Sequence, residues 1–228
     1  MNFRYANLNT CSDATGLVII VDVIRAFTTA AFVFSRGAEK IIPVSEAEDA
    51  LHLKGQIPNA LACGEISGVP PEGFDFGNSP TQILHRDLSG RTIVQRTSAG
   101  TQGVVRSSRA EKMVAASFVV AAATARYVQS LAPETVTFVI TGQAFAGGGD
   151  EDLACAEYLE YLSCGQTPDI QPYLERVRKS GDAKMFHDPA SLHFPESDIS
   201  HCTSVDRFNF AMPIVKENGR HIMRAIPT

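Results

Sequence analysis

Runs of apolar residues alternate along the chain with segments whose apolar residues recur at a helical spacing. Residues 16–22 form the first run, and its mostly β-branched composition predicts a strand buried on both faces. Residues 25–36 then have the pattern of a helix. After a short link, a second strand is predicted over residues 40–44 and a second helix over residues 45–54. This alternation predicts an α/β fold, a layered α/β/α architecture around a mostly parallel or mixed sheet.

The alternation continues as far as residue 165. Further strands are predicted over residues 61–63, 91–95, 112–116 and 135–141. Further helices are predicted near residue 101 and over residues 79–85, 118–131 and 150–164, the last after a glycine-rich link at residues 142–149. The remainder contains two helical patches and a closing hairpin, over residues 169–180, 182–187 and 208–226. We expect a single domain over residues 1–228, with a regular core at about 16–165 and an irregular C-terminal extension, a cap or edge, over 166–228.

Residues 64–80 fit neither pattern. This stretch has four Gly and three Pro among its seventeen residues, which excludes a regular helix or a central strand. It carries Glu65 and Asp75, and it ends with Asn78 and Ser79, which have the character of a helix N-cap before Pro80. Carboxylates on a stiffened loop that leads to a helix N-terminus suit a hard cation beside a phosphate. An ordered surface loop is the alternative, and composition alone does not separate the two.

The composition narrows the class of protein. The 228 residues are 44% hydrophobic and 20% charged, as in ordinary globular proteins, and the net charge of -5 without a basic stripe argues against nucleic acid as a partner. No apolar run is long enough to span a membrane, and the first residues lack the apolar core of a secretion signal. The five Cys include no C-x-x-C pair, which predicts reduced thiols in a cytoplasmic protein and argues against a zinc site.

Polar residues follow four of the predicted strands. They form four sets in chain order: Asp22 with Arg25, Glu65 with Asp75, Thr97 and Ser98 with Thr101, and Glu151 with Asp152. Ligands of open α/β sheets bind outside the carboxyl ends of the strands, so we expect these sets to converge. Helix N-termini and Arg neutralise an oxyanion, and carboxylates without His or Cys favour Mg²⁺ or another hard ion. Such a site suits phosphate ester chemistry.

Each set also has a structural explanation. Asp22 could cap a turn and pair with Arg25, residues 97–101 could form a capped turn, and the acids at 150–152 suit the first turn of any helix. Other phosphatase signatures are absent from the sequence. No Cys is followed six positions later by Arg, Ile24 stands where an aspartyl phosphatase has its second Asp, and there is neither a P-loop nor G-x-G-x-x-G.

Four segments resemble a known family in their order and spacing. D-V-I-R-A-F-T-T at residues 22–29, Gly64-Glu65, E-G-F-D-F-G-N-S-P at residues 72–80 and Glu151-Asp152 are similar to the 2-phosphosulfolactate phosphatase family over roughly residues 18–165. The resemblance implies an α/β protein and a Mg²⁺-dependent hydrolase. Its reaction would remove phosphate from 2-phospho-3-sulfolactate, a step on the route to coenzyme M.

The resemblance and the strand-end pattern together assign expected roles. The expected substrate is a small anionic phosphorylated hydroxy acid, and Mg²⁺ is the expected cofactor. Asp22, Arg25 and Asp75 are the expected catalytic residues, with Asp22 either the nucleophile or the base that orients water. The expected metal ligands are Glu65, Glu151 and Asp152. The expected phosphate-binding residues are Thr28, Thr29, Asn78, Ser79, Ser98, Gly100 and Thr101.

Two positions depart from the family pattern. Ile66 stands where the family usually has Arg after Gly-Glu, and Ala99 stands where it usually has Asn. Losing a guanidinium and an amide should weaken recognition of a sulfonate, so the reaction class can persist while the substrate differs. The alternatives are a phosphatase for an unrelated small metabolite and a non-catalytic anion-binding member of the family. A homo-oligomer also remains open.

Overall fold

The computed structural model of the chain describes residues 1–142, 148–188 and 191–228, so the expected glycine-rich link falls partly outside it. The strands are β1 Asn2–Asn7, β2 Leu17–Val21, β3 Lys40–Val44, β4 Leu61–Gly64, β5 Thr92–Arg96, β6 Lys112–Ala116, β7 Thr135–Ile140, β8 Phe210–Glu217, β9 Arg220–Met223 and β10 Ile226–Pro227. The α-helices are α1 Ala26–Ser35, α2 Ala47–Gln56, α3 Pro80–Ile83, α4 Gly100–Arg106, α5 Ala121–Leu131, α6 Asp150–Ser163, α7 Gln171–Lys179 and α8 Ser197–Cys202. Short 3₁₀ helices include Phe118–Val120 and Asp182–His187.

The strands form one mixed sheet in the order β1-β7-β2-β6-β8-β9-β3-β5-β4, with β10 paired to β8. One parallel group consists of β1, β7, β2 and β6, and the other of β3, β5 and β4. The hairpin β8–β9 lies between them and is antiparallel to β6 on one side and to β3 on the other. The expected α/β class with a mostly parallel, mixed sheet is therefore confirmed.

Strand β2 shows why the helices form layers. All five of its residues are buried, as its continuous apolar run predicts. Val18 and Ile20 belong to a core cluster that also contains α1 residues, whereas Ile19 and Val21 belong to a second cluster with α5 and α6 residues. Alternate side chains of one strand thus pack against helices on opposite faces of the sheet.

The C-terminal part of the chain differs from the sequence-based expectation. Its hairpin exists, but it lies in the middle of the sheet order rather than at an edge. Met212 and Ile214 of β8 pair with Ala115 and Met113 of β6 and are buried in the first core cluster. Chain order after an irregular stretch carries no information about position within a sheet, so the sequence could not place this hairpin.

Strand β1 and helix α8 are among the elements that were not predicted. Strand β1 pairs in parallel with β7 at the edge of the sheet, where most of its residues stay partly or fully exposed. Helix α8 has only six residues and follows the irregular stretch near Pro195. No helix within the described ranges is long and apolar enough to cross a membrane.

The position of β8 generates a test of folding energetics. Ile214 is 3% exposed, whereas its neighbour Val215 is 48% exposed on the other face. We expect Ile214→Ala to lower the free energy of unfolding by about 2–5 kcal/mol because it leaves a core cavity. Val215→Ala is the matched control and should change it by less than about 0.5 kcal/mol. Urea unfolding measures both, and equal small changes would contradict a core position for β8.

Candidate active site

A cavity of about 320 Å³ gathers residues that follow strands of both parallel groups. Asp22 follows β2 and Thr141 follows β7, while Glu65 follows β4 and Ser98 lies just beyond β5. The two groups run in opposite directions along the sheet, so the convergence does not come from a single parallel edge. It comes instead from one shared core, since the first core cluster joins both groups to α1, and α4 contacts both β2 and β3.

The remaining walls come from two other places. The first turn of α6 contributes Glu151 and Asp152, and the loop 64–80 contributes Ser67, Gly68 and Asn78. The C-terminal segment 182–194 contributes an acid and an apolar surface: Asp182, Met185, Phe186 and Phe194. Of the residues expected from the sequence, those that line the cavity are Asp22, Arg25, Glu65, Asn78, Ser98, Glu151 and Asp152.

Asp22 is buried at the end of β2, where it also caps α1. Its Oδ1 accepts a hydrogen bond from the Ala26 amide at 2.8 Å. Its Oδ2 lies 3.3 Å from the Thr141 hydroxyl, whose single proton also has the Val21 carbonyl oxygen at 3.0 Å and Asp152 Oδ2 at 3.2 Å as acceptors. Burial raises the pKa of Asp22 to about 7, and the charges of Glu65 and Asp182 add to this while the Ala26 hydrogen bond opposes it. Asp22 therefore titrates near neutral pH, which suits proton transfer.

Asp152 ties two strand ends together. Its Oδ1 accepts from the Val23 amide at 2.7 Å, and its Oδ2 accepts from the Gly142 amide at 2.9 Å and the Thr141 hydroxyl at 3.2 Å. Burial raises the pKa of Asp152 well above its usual value, and the neighbouring charge of Asp22 raises it further. Both oxygens of Asp152 are thus occupied by strand ends within the described structure.

Glu151 is the least satisfied acid of the cavity. It is 1% exposed, and its Oε2 has no hydrogen-bond partner among the described residues. Burial raises the pKa of Glu151 to about 10, and the charges of Asp152 and Asp182 and a side-chain hydrogen bond with Asp182 raise it further. A buried carboxyl with a free oxygen among like charges is costly unless a positive charge approaches it.

Glu65 joins the loop 64–80 to the turn after β5. Its Oε1 accepts from the Ser98 amide at 2.6 Å, and its Oε2 accepts from the Gly68 amide at 2.6 Å and the Ser98 hydroxyl at 3.0 Å. The preceding Gly64 has φ +138°, and a Cβ there would lie 1.7 Å from the Arg96 carbonyl oxygen. The loop therefore leaves β4 at a position that only glycine can occupy.

Arg25 crosses from α1 to the C-terminal segment. Its Nη1 donates to Asp198 Oδ2 and to the His193 carbonyl oxygen, both at 2.8 Å. Its guanidinium carbon lies 4.9 Å from the ring centre of Phe186 and 5.1 Å from that of Phe194, which are cation–π distances. Nε and Nη2 make no hydrogen bond to the described residues, so these two groups remain able to donate to a ligand.

Asp198 is a buried residue that no pattern in the sequence indicated. It is 0% exposed, and besides Arg25 it accepts hydrogen bonds from Ser79 Oγ at 3.0 Å, the Thr81 amide at 2.9 Å and Thr81 Oγ1 at 2.6 Å. The signal that could have found it is indirect: a buried Arg25 requires a buried acid. Asp182, Phe186 and Phe194 were also missed, because they lie in the C-terminal extension, where no predicted strand end indicated a site.

The sequence analysis expected helix N-termini to bind a phosphate. Carboxylates of the protein itself occupy two of these helix N-termini. Asp22 accepts from the first turn of α1, and Asp198 accepts from Thr81 in the first turn of α3. Ser79 caps α3 as expected, accepting from the Gln82 amide at 3.4 Å. An anion in the cavity would therefore depend on Arg25, Asn78 and any bound cation rather than on these helix ends.

Asp75 lies away from the cavity. It forms a 2.8 Å ion pair with Lys54 and accepts from the Ala62 amide at 2.8 Å, which fastens the loop 64–80 to α2 and β4. Thr28 donates to the Val23 carbonyl oxygen at 2.8 Å, and Thr29 Oγ1 is buried without a partner among the described residues. These three residues, for which site roles were expected, do not line the cavity.

Ser79, Gly100 and Thr101 lie behind the cavity wall. Ser79 donates to Asp198, and Thr101 exchanges hydrogen bonds with Thr97 inside the turn that begins α4. A Cβ at Gly100 would lie 2.8 Å from Asp22 Oδ2 and 2.6 Å from the Ala26 Cβ. Because Gly100 has no side chain, α4 can approach Asp22 closely. Gly100 thus makes room for this approach and does not itself line the cavity.

The acids of the cavity fit a magnesium ion only in part. No three His, Cys, Asp or Glu side chains in the described part of the chain are arranged to hold one metal ion. Glu65 and Asp152 use both oxygens on amides and hydroxyls, whereas Glu151 Oε2 is free and Asp22 Oδ2 accepts only a long hydrogen bond. Mg²⁺ usually binds one or two carboxylates and completes its shell with waters and phosphate oxygens. Asp22 and Glu151 line the same cavity and retain the carboxylate acceptor capacity that such an ion would use.

The fold and the cavity define an α/β protein with an acidic cavity beyond the strand ends. The family model described as 2-phosphosulpholactate phosphatase matches residues 3–218 of the chain. A protein of Bacillus subtilis, named a probable 2-phosphosulfolactate phosphatase, is 33% identical over 202 residues, covering 88% of this chain and 87% of its own. A Thermotoga maritima protein of the same name is 32% identical over 218 residues, covering 92% of both chains. The chain belongs to the 2-phosphosulfolactate phosphatase family, a family of phosphoric monoester hydrolases.

The buried pair of Arg25 and Asp198 generates a stability prediction. Asp198→Ala leaves the guanidinium and three other donors unpaired, so it should lower the free energy of unfolding by about 3–5 kcal/mol. Glu196→Ala, at an exposed position two residues away, is the control and should change it by less than about 0.5 kcal/mol. Chemical unfolding of the two variants gives the comparison, and a loss below about 1 kcal/mol for Asp198→Ala would contradict the buried network.

Glu151 generates a prediction about pH. Its pKa is raised in the folded protein, so its contribution to stability is complete below the unfolded pKa and is lost as pH rises through about 10. In EDTA, Glu151→Gln should therefore raise Tm at pH 8, by roughly 2–4 °C for each kcal/mol gained, and this advantage should vanish toward pH 4. Exposed Glu134→Gln should show no such trend. Thermal unfolding across pH tests this, and a Tm difference independent of pH would contradict it.

Proposed function

We propose that this protein is a Mg²⁺-dependent phosphomonoester hydrolase. Its substrate would be a small phosphorylated 2-hydroxy acid, 2-phospho-3-sulfolactate or a related compound. The observation that carries the proposal is geometric: the buried carboxyl groups of Asp22 and Glu151 line one small cavity, and Glu151 Oε2 has no hydrogen-bond partner among the described residues. Like-charge crowding of this kind is relieved by a divalent cation, and phosphate is the ligand that such a cation would share with Arg25.

The residues divide into two functions. Asp22 and Glu151 would hold Mg²⁺, which when bound would supply positive charge to the phosphate oxygens. Arg25 would donate from Nε and Nη2 to the phosphate, because Asp198 and the two Phe rings fix its orientation. Asn78 lines the same cavity with a buried side chain, and its amide group would donate to a third phosphate oxygen.

Asp22 has two candidate roles in the reaction. It could attack phosphorus as a nucleophile, or it could accept a proton from an attacking water. Its pKa of about 7 is compatible with both roles, since the carboxylate is available at neutral pH and a nearby cation would increase that fraction. Borohydride reduction of enzyme quenched during turnover separates them, because an aspartyl phosphate at Asp22 is reduced to homoserine whereas direct attack by water leaves Asp22 unaltered.

The matched pair Asp22 and Asp75 tests the proposed function. Asp22→Asn should lower kcat by at least about 10²-fold because it removes the group that acts on water or phosphorus. Asp75→Asn should retain activity within a few-fold, since Asp75 pairs with Lys54 outside the cavity. Phosphate release from small phosphoacids is measured with Mg²⁺ and after EDTA treatment.

The same assay has an outcome that rejects catalysis. If no ester releases phosphate with Mg²⁺, while Asp22→Asn and the unaltered protein bind the esters equally, the proposal fails. A non-catalytic anion-binding protein would then be the better description. Activity unaffected by EDTA would contradict the magnesium part alone.

A further inference from the structure

The tip of the loop 64–80 is a tight two-residue turn. The Ile66 amide donates to the Val69 carbonyl oxygen at 2.9 Å, and the Val69 amide donates to the Ile66 carbonyl oxygen at 3.1 Å. Between them, Ser67 has φ +52° and Gly68 has φ +85°, the two positive values of a type I′ turn. The backbone of the tip therefore has a defined shape, and Gly68 occupies a position that suits glycine.

Gly68 is the point at which this tip meets the C-terminal segment. A Cβ built on Gly68 would lie 2.1 Å from Cζ of Phe194 and 2.7 Å from its Cε1, distances that no pair of carbon atoms in contact can adopt. The Phe194 ring therefore rests directly on the Gly68 backbone. Both residues line the cavity, so the loop and the C-terminal segment touch each other at its wall.

Phe194 also contacts Arg25. Its ring centre lies 5.1 Å from the guanidinium carbon, and the carbonyl oxygen of the preceding His193 accepts a hydrogen bond from Arg25 Nη1 at 2.8 Å. The Phe186 ring packs edge to face against Phe194 with centres 5.3 Å apart. Two successive residues thus hold one guanidinium, and moving the Phe194 ring away from Gly68 would disturb both contacts.

This arrangement affects the two donors of Arg25 that a phosphate could use. Nε and Nη2 make no hydrogen bond to the described residues. A ring stacked on the guanidinium excludes water from it and limits its rotation. Hydrogen bonds between charged groups are stronger where water is excluded, and a donor already held in place loses less conformational freedom when a ligand binds.

From these contacts we propose that Phe194 is a positioning residue for phosphate binding and that Gly68 is the residue that makes room for it. The inference rests on the proposed phosphatase function. Phe194 acts through Arg25: its ring, held between Gly68 and Phe186, keeps Nε and Nη2 directed into the cavity. A side chain at position 68 displaces the ring and so weakens the binding of phosphate.

Inorganic phosphate, the product of the reaction, is the probe, titrated by calorimetry into the full chain with Mg²⁺ present. Gly68→Ala should weaken its affinity at least about tenfold, because the guanidinium loses a stacked ring and its orientation. Gly165→Ala is the matched control: Gly165 has φ +76° and no atom within 4 Å of the added Cβ. It carries the same backbone strain without the contact, and its phosphate affinity should be unchanged.

A double-variant cycle isolates the contact between the two residues. Phe194→Ala alone should also weaken phosphate binding at least about tenfold. Adding Gly68→Ala to Phe194→Ala should weaken it no further, because the added Cβ then has room. Losses that multiply in the double variant, or an unchanged affinity in Gly68→Ala, would overturn the inference.

Kinetics with 2-phospholactate separate positioning from a general loss of folded protein. Gly68→Ala and Phe194→Ala should raise KM at least about tenfold and change kcat by only a few-fold, since phosphate is held in both the ground state and the transition state. A smaller folded fraction would instead lower the apparent kcat and leave KM unchanged, which would contradict the positioning role. If the unaltered protein neither binds phosphate nor hydrolyses any ester, the proposed function itself fails.

Discussion

The burial of several carboxyl groups in one small space is the constraint on which the rest of this structure depends. Asp22, Glu151 and Asp152 are each at most 4% exposed, and their raised pKa values show how unfavourable their ionisation is. Backbone amides compensate part of this cost. The Ala26, Val23 and Gly142 amides each donate to one of these acids, so the strand ends and α1 adopt their positions partly to solvate them.

The C-terminal segment completes this arrangement from the other side. Asp198 on α8 pairs with Arg25, and it also accepts hydrogen bonds from Ser79 and Thr81 at the start of α3. Residues that appear irregular in sequence therefore set the orientation of the one cation in the cavity lining within the described structure. The cavity therefore depends on the segment after α6, because the buried charges of Arg25 and Asp198 compensate each other and neither is stable there alone.

The sequence predicted what depends on local pattern. Strand β2 was predicted from its continuous apolar run, which reflects burial on both faces. Ser79 was predicted to cap a helix because its hydrogen-bond partner, the Gln82 amide, is only three residues away. Strand β1 was not predicted, because an edge strand with exposed polar residues lacks a clear alternation of apolar and polar positions. Asp198 contacts Arg25 across 173 positions, and no local pattern encodes such a pairing. Asp75 lies outside the cavity, where it pairs with Lys54 and so fastens the loop 64–80 to α2. The sequence pattern of the loop does not distinguish a residue that fastens it from one that faces the cavity.

The central position of the hairpin β8–β9 has a consequence for how the chain assembles during synthesis. The two parallel groups of strands are joined through residues 210–223, which come later in the sequence than every strand they connect. Until these residues leave the ribosome, β6 and β3 each present an unpaired edge to solvent, and such edges invite association with other chains. Sheet completion is therefore expected to be a late, long-range step, and a nascent chain that pauses before residue 210 should be a strong client for chaperones.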